Sequence, residues 1–287
     1  MMNDPTEIQL LNQLQLCTTL ITNQTTNSGT KKGTGFFFSY TDSAMDNYWY
    51  PTLVTNRHVI ENADMINFSL TMASADGTPM IGKTMSIVHP CVQDYLIMHP
   101  TEDLAILLLT PFIKDILPLI AYRSLPYDMI LPRDRLNFIN VAHDVIMIGY
   151  PLSLQDESHK FPIFRRGMTA TNPATNFNDR PEFIIDIGCF PGSSGSPIFA
   201  YSEQLLGLGD NGAGIYGKSF AFLGIQQSAF IYNSEGALEL PNNQNLPIST
   251  AVSANLGLAI RADVLNYFTE PLQKMFFDNK ICASRLK

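Results

Sequence analysis

Short apolar or β-branched runs, each closed off by Gly, Pro, Asn or Asp, set the texture of most of this chain. They fall at 35–40, 53–55, 65–72, 80–88, 104–110, 145–150, 183–187, 197–201, 219–226 and 256–260. Aromatic and β-branched residues suit a pleated, half-buried surface, so each run reads as a strand. A doubly wound parallel sheet needs a helix between most strands, and helical spacing is missing there. The pattern therefore favours antiparallel barrels or sandwiches. With 287 residues the chain exceeds one small core and suits two packed units. Pro118, Pro126 and Pro132 break the periodicity between them, which places the division near 118–134.

The two ends differ. Leu10, Leu14, Cys17 and Ile21 recur at helical spacing, which predicts a helix over 7–22, followed by a Thr/Asn-rich loop to Lys32. Val264, Leu265, Phe268, Leu272 and Phe276 form a second stripe, which predicts a helix over 263–277. The expected organisation is a helical extension over 1–27, a first barrel over 28–125, a second over 126–262, and a C-terminal helix and tail over 263–287.

Composition excludes several classes. Hydrophobic residues make up 45% and charged residues 15%. That is too apolar for wholesale disorder and too weakly charged for a long coiled coil. The net charge of -8 and the absence of any basic cluster larger than Lys31-Lys32 or Arg165-Arg166 argue against a nucleic-acid partner. Apolar runs such as Leu104 to Leu109 have strand length, far short of a membrane span. The N-terminus has no basic segment followed by an apolar one, so a soluble cytoplasmic protein is expected. Cys17, Cys91, Cys189 and Cys282 show no metal or redox spacing and read as buried free thiols. His89, His99, His143 and His159 form no metal-binding set, so neither metal nor cofactor is expected. The loop from Gly207 to Gly214 formally fits G-x-G-x-x-G. Antiparallel flanks make it a hairpin loop rather than a dinucleotide site.

Three segments carry chemistry together. Leu53-Val54-Thr55-Asn56-Arg57-His58-Val59 delivers a histidine where a strand ends. His99-Pro100-Thr101-Glu102-Asp103-Leu104-Ala105 sets an aspartate at the mouth of an apolar strand. Pro191-Gly192-Ser193-Ser194-Gly195-Ser196-Pro197 is a tight loop entering another strand. A serine hydroxyl is a poor nucleophile near neutral pH and needs a base within hydrogen-bond reach. Histidine titrates in the right range, and a carboxylate can orient its ring. Backbone N–H groups must also face the developing oxyanion. Each segment alone is unremarkable, since a lone histidine at a strand end is usually structural and a Gly/Ser turn is usually a hairpin.

In the order His, Asp, Ser, the segments resemble the signature blocks of the trypsin-like, chymotrypsin-fold serine peptidases, in their intracellular or bacterial-type branch. Gly33-Thr34-Gly35-Phe36-Phe37 is similar to that branch's early G-x-G-F strand. The resemblance covers roughly residues 28–265. It implies an all-β fold of two packed six-stranded antiparallel β-barrels, with a short helix at each end. It also implies His58 as general base and then acid, Asp103 as its orienting partner, Ser194 as nucleophile, and the N–H groups of Gly192 and Ser194 as the oxyanion hole. Ser193, Ser196 and Ser228 are rival serines, but Gly192 and Gly195 bracket Ser194 in the family's register.

The chain departs from secreted relatives. Ser193 stands where they carry an activating Asp, and no Ile-Val-Gly-Gly-like segment is present. Switching is then left to an activating protein partner or to loop ordering. The family's pocket-floor position falls on Gly188, and the strand that would pair with substrate supplies Gln227, Ser228 and Ala229. An uncharged floor implies cleavage after uncharged residues. Binding of an acidic substrate group by Arg165-Arg166 is the alternative to a merely charged surface strand. The expected activity is limited, acyl-enzyme hydrolysis of protein or peptide substrates. A catalytically silent, protease-like binding module is the competing reading. Oligomeric state is not legible.

Overall fold

Phe36, Phe37 and Phe38 are all buried, and they face two different cores. Side chains alternate along a strand. Phe36, Phe38 and Tyr40 therefore enter one apolar cluster while Phe37 enters another. The computed structural model describes residues 5–25, 29–41, 48–90, 95–110, 112–208, 214–239, 245–277 and 284–285.

The first half builds a nine-stranded sheet. Its path uses β1 (Thr18–Thr25), β2 (Gly29–Thr41), β3 (Tyr48–Thr55), β4 (Met65–Ala73), β5 (Pro79–Pro90), β6 (Leu96–Met98) and β7 (Ala105–Leu108). The order is β5-β4-β1-β2-β3-β7-β6. Two short strands lie off this path. β8 (Leu125–Pro126) pairs parallel to β2, and β15 (Ser284–Arg285) pairs with β3. The second half is a closed six-strand barrel, in the order β10-β11-β14-β13-β12-β9. Its members are β9 (Asp144–Gly149), β10 (Ile163–Thr169), β11 (Glu182–Asp186), β12 (Pro197–Leu208), β13 (Gly214–Glu239) and β14 (Asn245–Arg261). The chain is thus mostly β, with short helices, and joins a closed barrel to a second sheet.

Three apolar clusters hold this together. One lies inside the first sheet around Phe37, Leu53, Val59 and Leu107. Another fills the barrel around Val145, Phe183, Ile185 and Ile198. The third spans both halves, joining Phe36, Phe38 and Tyr40 to Phe199, Phe222, Ile260 and Phe268. Edge-to-face contact of Phe36 with Phe222, at a centroid distance of 5.4 Å, sits in this shared core. The halves therefore meet over dry side chains, which fixes the loops along their seam.

Several expectations change at the ends. The first helix, α1 (Pro5–Leu16), stops at Leu16, and residues expected to continue it form β1. Thr18, Thr19, Ile21 and Thr22 are β-branched, and pairing with β2 and β4 overrides a helix-like spacing. The expected loop over 22–32 is mostly the ends of β1 and β2, with residues 26–28 outside the described ones. The C-terminal helical stretch begins as a 3-10 segment, Ala262–Phe268, before an α-helix at Thr269–Phe277, with Pro271 in its first turn. Between the halves, the proline-rich stretch forms short 3-10 turns at Leu117–Leu119 and Tyr127–Met129.

β13 and β14 run well past the expected strands, to 26 and 17 residues. Beyond Gln226 they pair mainly with each other, in an arm whose residues 231–237 are exposed. The Gly207–Gly214 loop lies between antiparallel β12 and β13, and its residues 209–213 are outside the described ones. Cys91 and Cys282 also lie outside them. Cys17 and Cys189 are buried and free. Burial pushes their thiols up to about 12 and about 11.

Candidate active site

β3 ends at buried Thr55, and the chain turns through Asn56 into one helical turn, α2 (Arg57–Ile60). This turn is tied to Asp103, just ahead of β7. Asn56 Nδ2 donates to the Asp103 carbonyl at 2.8 Å, and the Arg57 N–H donates to it at 3.3 Å. The Asp103 side chain takes the His58 N–H on Oδ1 at 3.0 Å and faces His58 Nδ1 with Oδ2 at 2.6 Å. An ionised carboxylate at 103 puts the ring proton on Nδ1 and leaves Nε2 as an acceptor. The Asp103 side chain is 16% exposed and the His58 side chain 45%, so the carboxylate is sheltered while the ring opens to solvent.

The loop before Asp103 is braced by its own neighbours. His99 Nδ1 accepts the N–H groups of Glu102 at 2.9 Å and Thr101 at 3.3 Å. Its ring lies 4.5 Å from that of Tyr267. Burial, with Arg57 nearby, holds His99 below the ordinary histidine range despite the Glu102 charge. It therefore stays the acceptor that the turn needs. Glu102 is buried and receives Arg180 Nη2 at 2.9 Å, and the same nitrogen lies 3.3 Å from Glu182 Oε1. Arg180, from the loop before β11, thus clamps the barrel onto the aspartate loop of the first sheet.

This clamp yields a pH prediction. Burial raises the Glu182 carboxyl above its ordinary range, against the lowering effect of Arg180 and with the help of Glu102 and Asp103. These three are the charged groups facing it. A carboxyl raised in the folded state binds more protons there than in the unfolded chain. Stability contributed by this group is present at low pH and falls as pH rises from the ordinary carboxylate value through the raised one. Glu182→Gln should flatten that part of the stability–pH curve in urea titrations run upward in pH from the ordinary carboxylate range. An unchanged slope would show that Glu182 is not its source.

Ser194 enters β12 through a loop pinned by a threonine of the first sheet. The Thr34 N–H donates to the Ser194 carbonyl at 2.8 Å, and Thr34 Oγ1 donates to the Gly192 carbonyl at 2.8 Å. Thr34 Oγ1 also accepts the Tyr150 N–H at 3.0 Å, and the Thr34 carbonyl accepts Thr55 Oγ1 at 2.7 Å. Among the described residues no protein acceptor takes the peptide N–H groups of Gly192 and Ser194, while those of Ser193 and Gly195 donate to the Phe190 and Gln226 carbonyls. Gly192 has φ +92, and a β-carbon there would lie 2.5 Å from the Tyr150 carbonyl oxygen. That close approach requires glycine. Leu152 and Ser153, both at positive φ, buttress the loop from below, and the Leu152 N–H reaches the Pro191 carbonyl at 2.6 Å.

The rival serines separate clearly. Ser193 and Ser196 are fully buried, whereas Ser194 is partly open. Ser228 is exposed on β13, paired with Leu258 of β14. Ser194 Oγ donates to the Gln227 carbonyl at 3.1 Å, and no hydrogen bond joins it to His58 among the described residues. Gln227 sits in a bulge between Gln226 and Ser228, out of register with β14. β12 pairs with β13 only as far as Ile225, so Gln227, Ser228 and Ala229 lie beyond its end.

At the expected pocket floor the structure adds a charge. Gly188 carries none, but the Arg165 guanidinium, from β10, donates to the Gly188 carbonyl. It also lies 5.2 Å from the centroid of the Phe190 ring. Thr34 and Arg180 are therefore residues of the candidate site that the sequence did not reveal. Of the Arg165-Arg166 pair, whose alternative reading is binding of an acidic substrate group, Arg166 pairs with Asp144 on the surface and Arg165 reaches Gly188.

A closed antiparallel barrel lies against a second sheet, with these loops along the seam. A family model described as the trypsin-like peptidase domain matches residues 33–208, and the chain belongs to that family. Three solved structures illustrate the likeness. The active form of a protease from M. tuberculosis is 14% identical, with a TM-score of 0.45, over 99% of this chain and 89% of that one. The serine endoprotease from Yersinia pestis is 16% identical, with a TM-score of 0.45, over 91% of this chain and 65% of that one. The catalytically active tobacco etch virus protease complexed with product is 12% identical, with a TM-score of 0.48, over 91% and 80%. A search of curated proteins returned no match. Among the described residues, no helix is long and apolar enough to cross a membrane, and no group of three or more His, Cys, Asp or Glu could hold a metal ion.

Proposed function

We propose that this peptidase-family chain is an active serine endopeptidase working through Ser194, His58 and Asp103. The observation that carries the reading is the double hold of Asp103 on His58, through the ring at 2.6 Å and the backbone at 3.0 Å. In the proposed reaction, Ser194 Oγ attacks the scissile carbonyl carbon and its proton passes to His58 Nε2. The carbonyl oxygen becomes an oxyanion facing the Gly192 and Ser194 N–H groups. His58 then protonates the leaving amine, the C–N bond breaks, and an ester to Ser194 remains. Water, deprotonated by His58, cleaves that ester and returns the proton to Ser194.

The resting hydroxyl points at the Gln227 carbonyl. A substrate extended along Gln227, Ser228 and Ala229 would offer backbone N–H groups to β13. An N–H taken by the Gln227 carbonyl would release the Ser194 hydroxyl to rotate toward His58. Cleavage after an uncharged residue, the expectation from Gly188 alone, does not account for Arg165.

Intact-mass measurement after treatment with a broad fluorophosphonate tests the proposal. One adduct on the native protein, mapped to Ser194 and absent from Ser194→Ala, is expected. A folded protein that takes no adduct, alone or in cell extract, would point to the silent binding module instead.

A further inference from the structure

We infer that Arg165 makes the pocket selective for an acidic side chain, so that the enzyme cleaves after Glu or Asp. This rests on the reading of Ser194 as nucleophile and Gly188 as pocket floor.

The guanidinium sits at the floor itself. A β-carbon on Gly188 would lie 3.1 Å from Arg165 Nη2 and 3.1 Å from Asn255 Oδ1. Glycine therefore leaves open the space in which a cation and an amide converge. Arg165 is held in place by the Gly188 carbonyl and the face of the Phe190 ring. Both contacts orient the group without neutralising it.

Among the described residues the charge has no counterion of its own. Arg166 pairs with Asp144 at 2.7 Å, Arg180 with Glu102 at 2.9 Å, and Arg261 with Asp263 at 3.1 Å. Among the described residues Arg165 has no carboxylate within ion-pair distance. It is also only partly exposed. A partly desolvated, unpaired cation in a pocket is poised for an anionic ligand. The planar fork of arginine matches a carboxylate through two parallel hydrogen bonds. The Asn255 amide can present either its oxygen or its nitrogen to the same point. A Lys or Arg side chain entering here would instead meet a like charge.

The inference is tested with peptides identical except before the scissile bond, where they carry Glu, Gln, Leu or Lys. Rates are taken per fluorophosphonate-labelled site of the full-length protein. Glu should exceed Gln by roughly 10- to 100-fold in kcat/KM, the advantage of a charged over a neutral hydrogen bond. Arg165→Gln should bring that ratio close to one, and Arg165→Glu should favour the Lys peptide. A second measurement needs no turnover. Calorimetric titration of Ser194→Ala with uncleaved Glu and Gln peptides should show tighter binding of Glu, and the difference should vanish in the double variant with Arg165→Gln. A labelled enzyme that prefers Gln, Leu or Lys, or equal binding of Glu and Gln, overturns the inference and leaves the peptidase reading intact. Absence of labelling overturns the peptidase reading, and the titration then decides the pocket alone.

Discussion

Asp103→Asn is expected to lower kcat about 10⁴-fold while the protein stays folded. Asp103 has two jobs that this substitution separates. Its Oδ1 accepts the His58 N–H at 3.0 Å, and its backbone carbonyl accepts Asn56 Nδ2 and the Arg57 N–H. An asparagine can keep all of these, so the turn that carries His58 should survive. Oδ2, facing His58 Nδ1 at 2.6 Å, becomes an amide nitrogen that can only donate. Nδ1 must then accept, and the ring proton moves to Nε2, the nitrogen that takes the Ser194 proton in the proposed reaction. The same exchange removes the charge that would stabilise the imidazolium. A 10⁴-fold loss corresponds to about 5.5 kcal/mol of barrier. KM should change little, because in the proposed reaction Asp103 acts through His58. Steady-state kinetics on a cleaved peptide, with thermal melts of both proteins, decide the matter. A variant that keeps more than about a tenth of wild-type kcat, far from the expected loss, would mean that Asp103 only caps a turn.

How far the site could be read from sequence follows from how its parts are spaced. His58, Asp103 and Ser194 each lie in a contiguous run with its own local logic, a strand end or a Gly-bracketed turn, so their residue types and order were visible. Thr34 was not, although it holds the Ser194 loop. Its two partners through Oγ1, Tyr150 and Gly192, are 116 and 158 residues away. A threonine between two glycines looks like any small residue in a strand. Arg180 meets Glu102 across 78 residues, and Arg165 meets Gly188 only through the closure of the barrel. Tertiary pairing made these contacts, and periodicity carries no trace of them.

The same physics explains the fold-level differences. Cys17 and Ile21 fit a helical stripe, but a strand buries alternate residues, and Ile21 and Asn23 also satisfy that period. Pairing on both edges, with β2 and β4, settled the choice. The long arm of β13 and β14 was invisible for the opposite reason. Its residues 231–237 are exposed, so no core demanded an apolar alternation there. The strands expected at 219–226 and 256–260 are the parts that close the barrel.

Gly195→Ala should cost about 3 kcal/mol or more of stability and abolish labelling of Ser194, whereas Gly77→Ala should cost only about 1 kcal/mol. Both glycines have positive φ, +89 and +82, so both substitutions carry the strain of a left-handed backbone. Their surroundings differ. A β-carbon on Gly77, in the exposed hairpin turn between β4 and β5, would meet nothing within 4 Å. At Gly195 it would run into the Thr34 carbonyl oxygen and lie 2.5 Å from Thr55 Oγ1. Those two atoms are hydrogen-bonded to each other, and Thr34 also holds the Gly192 and Ser194 carbonyls. The new methyl cannot be accommodated by turning a flexible side chain, because the nearest obstacle is backbone. Either the first sheet moves away from the Ser194 loop, or the loop moves off Thr34 and carries the Ser194 hydroxyl away from its place. At about 2–4 °C per kcal/mol, the drop in Tm should be roughly 6–12 °C for Gly195→Ala and a third of that for Gly77→Ala. Thermal melts and fluorophosphonate labelling of the two variants side by side make the comparison. Equal losses of stability would reduce Gly195 to a turn residue like Gly77, and a fully labelled Gly195→Ala protein would show that Thr34 does not govern the Ser194 loop.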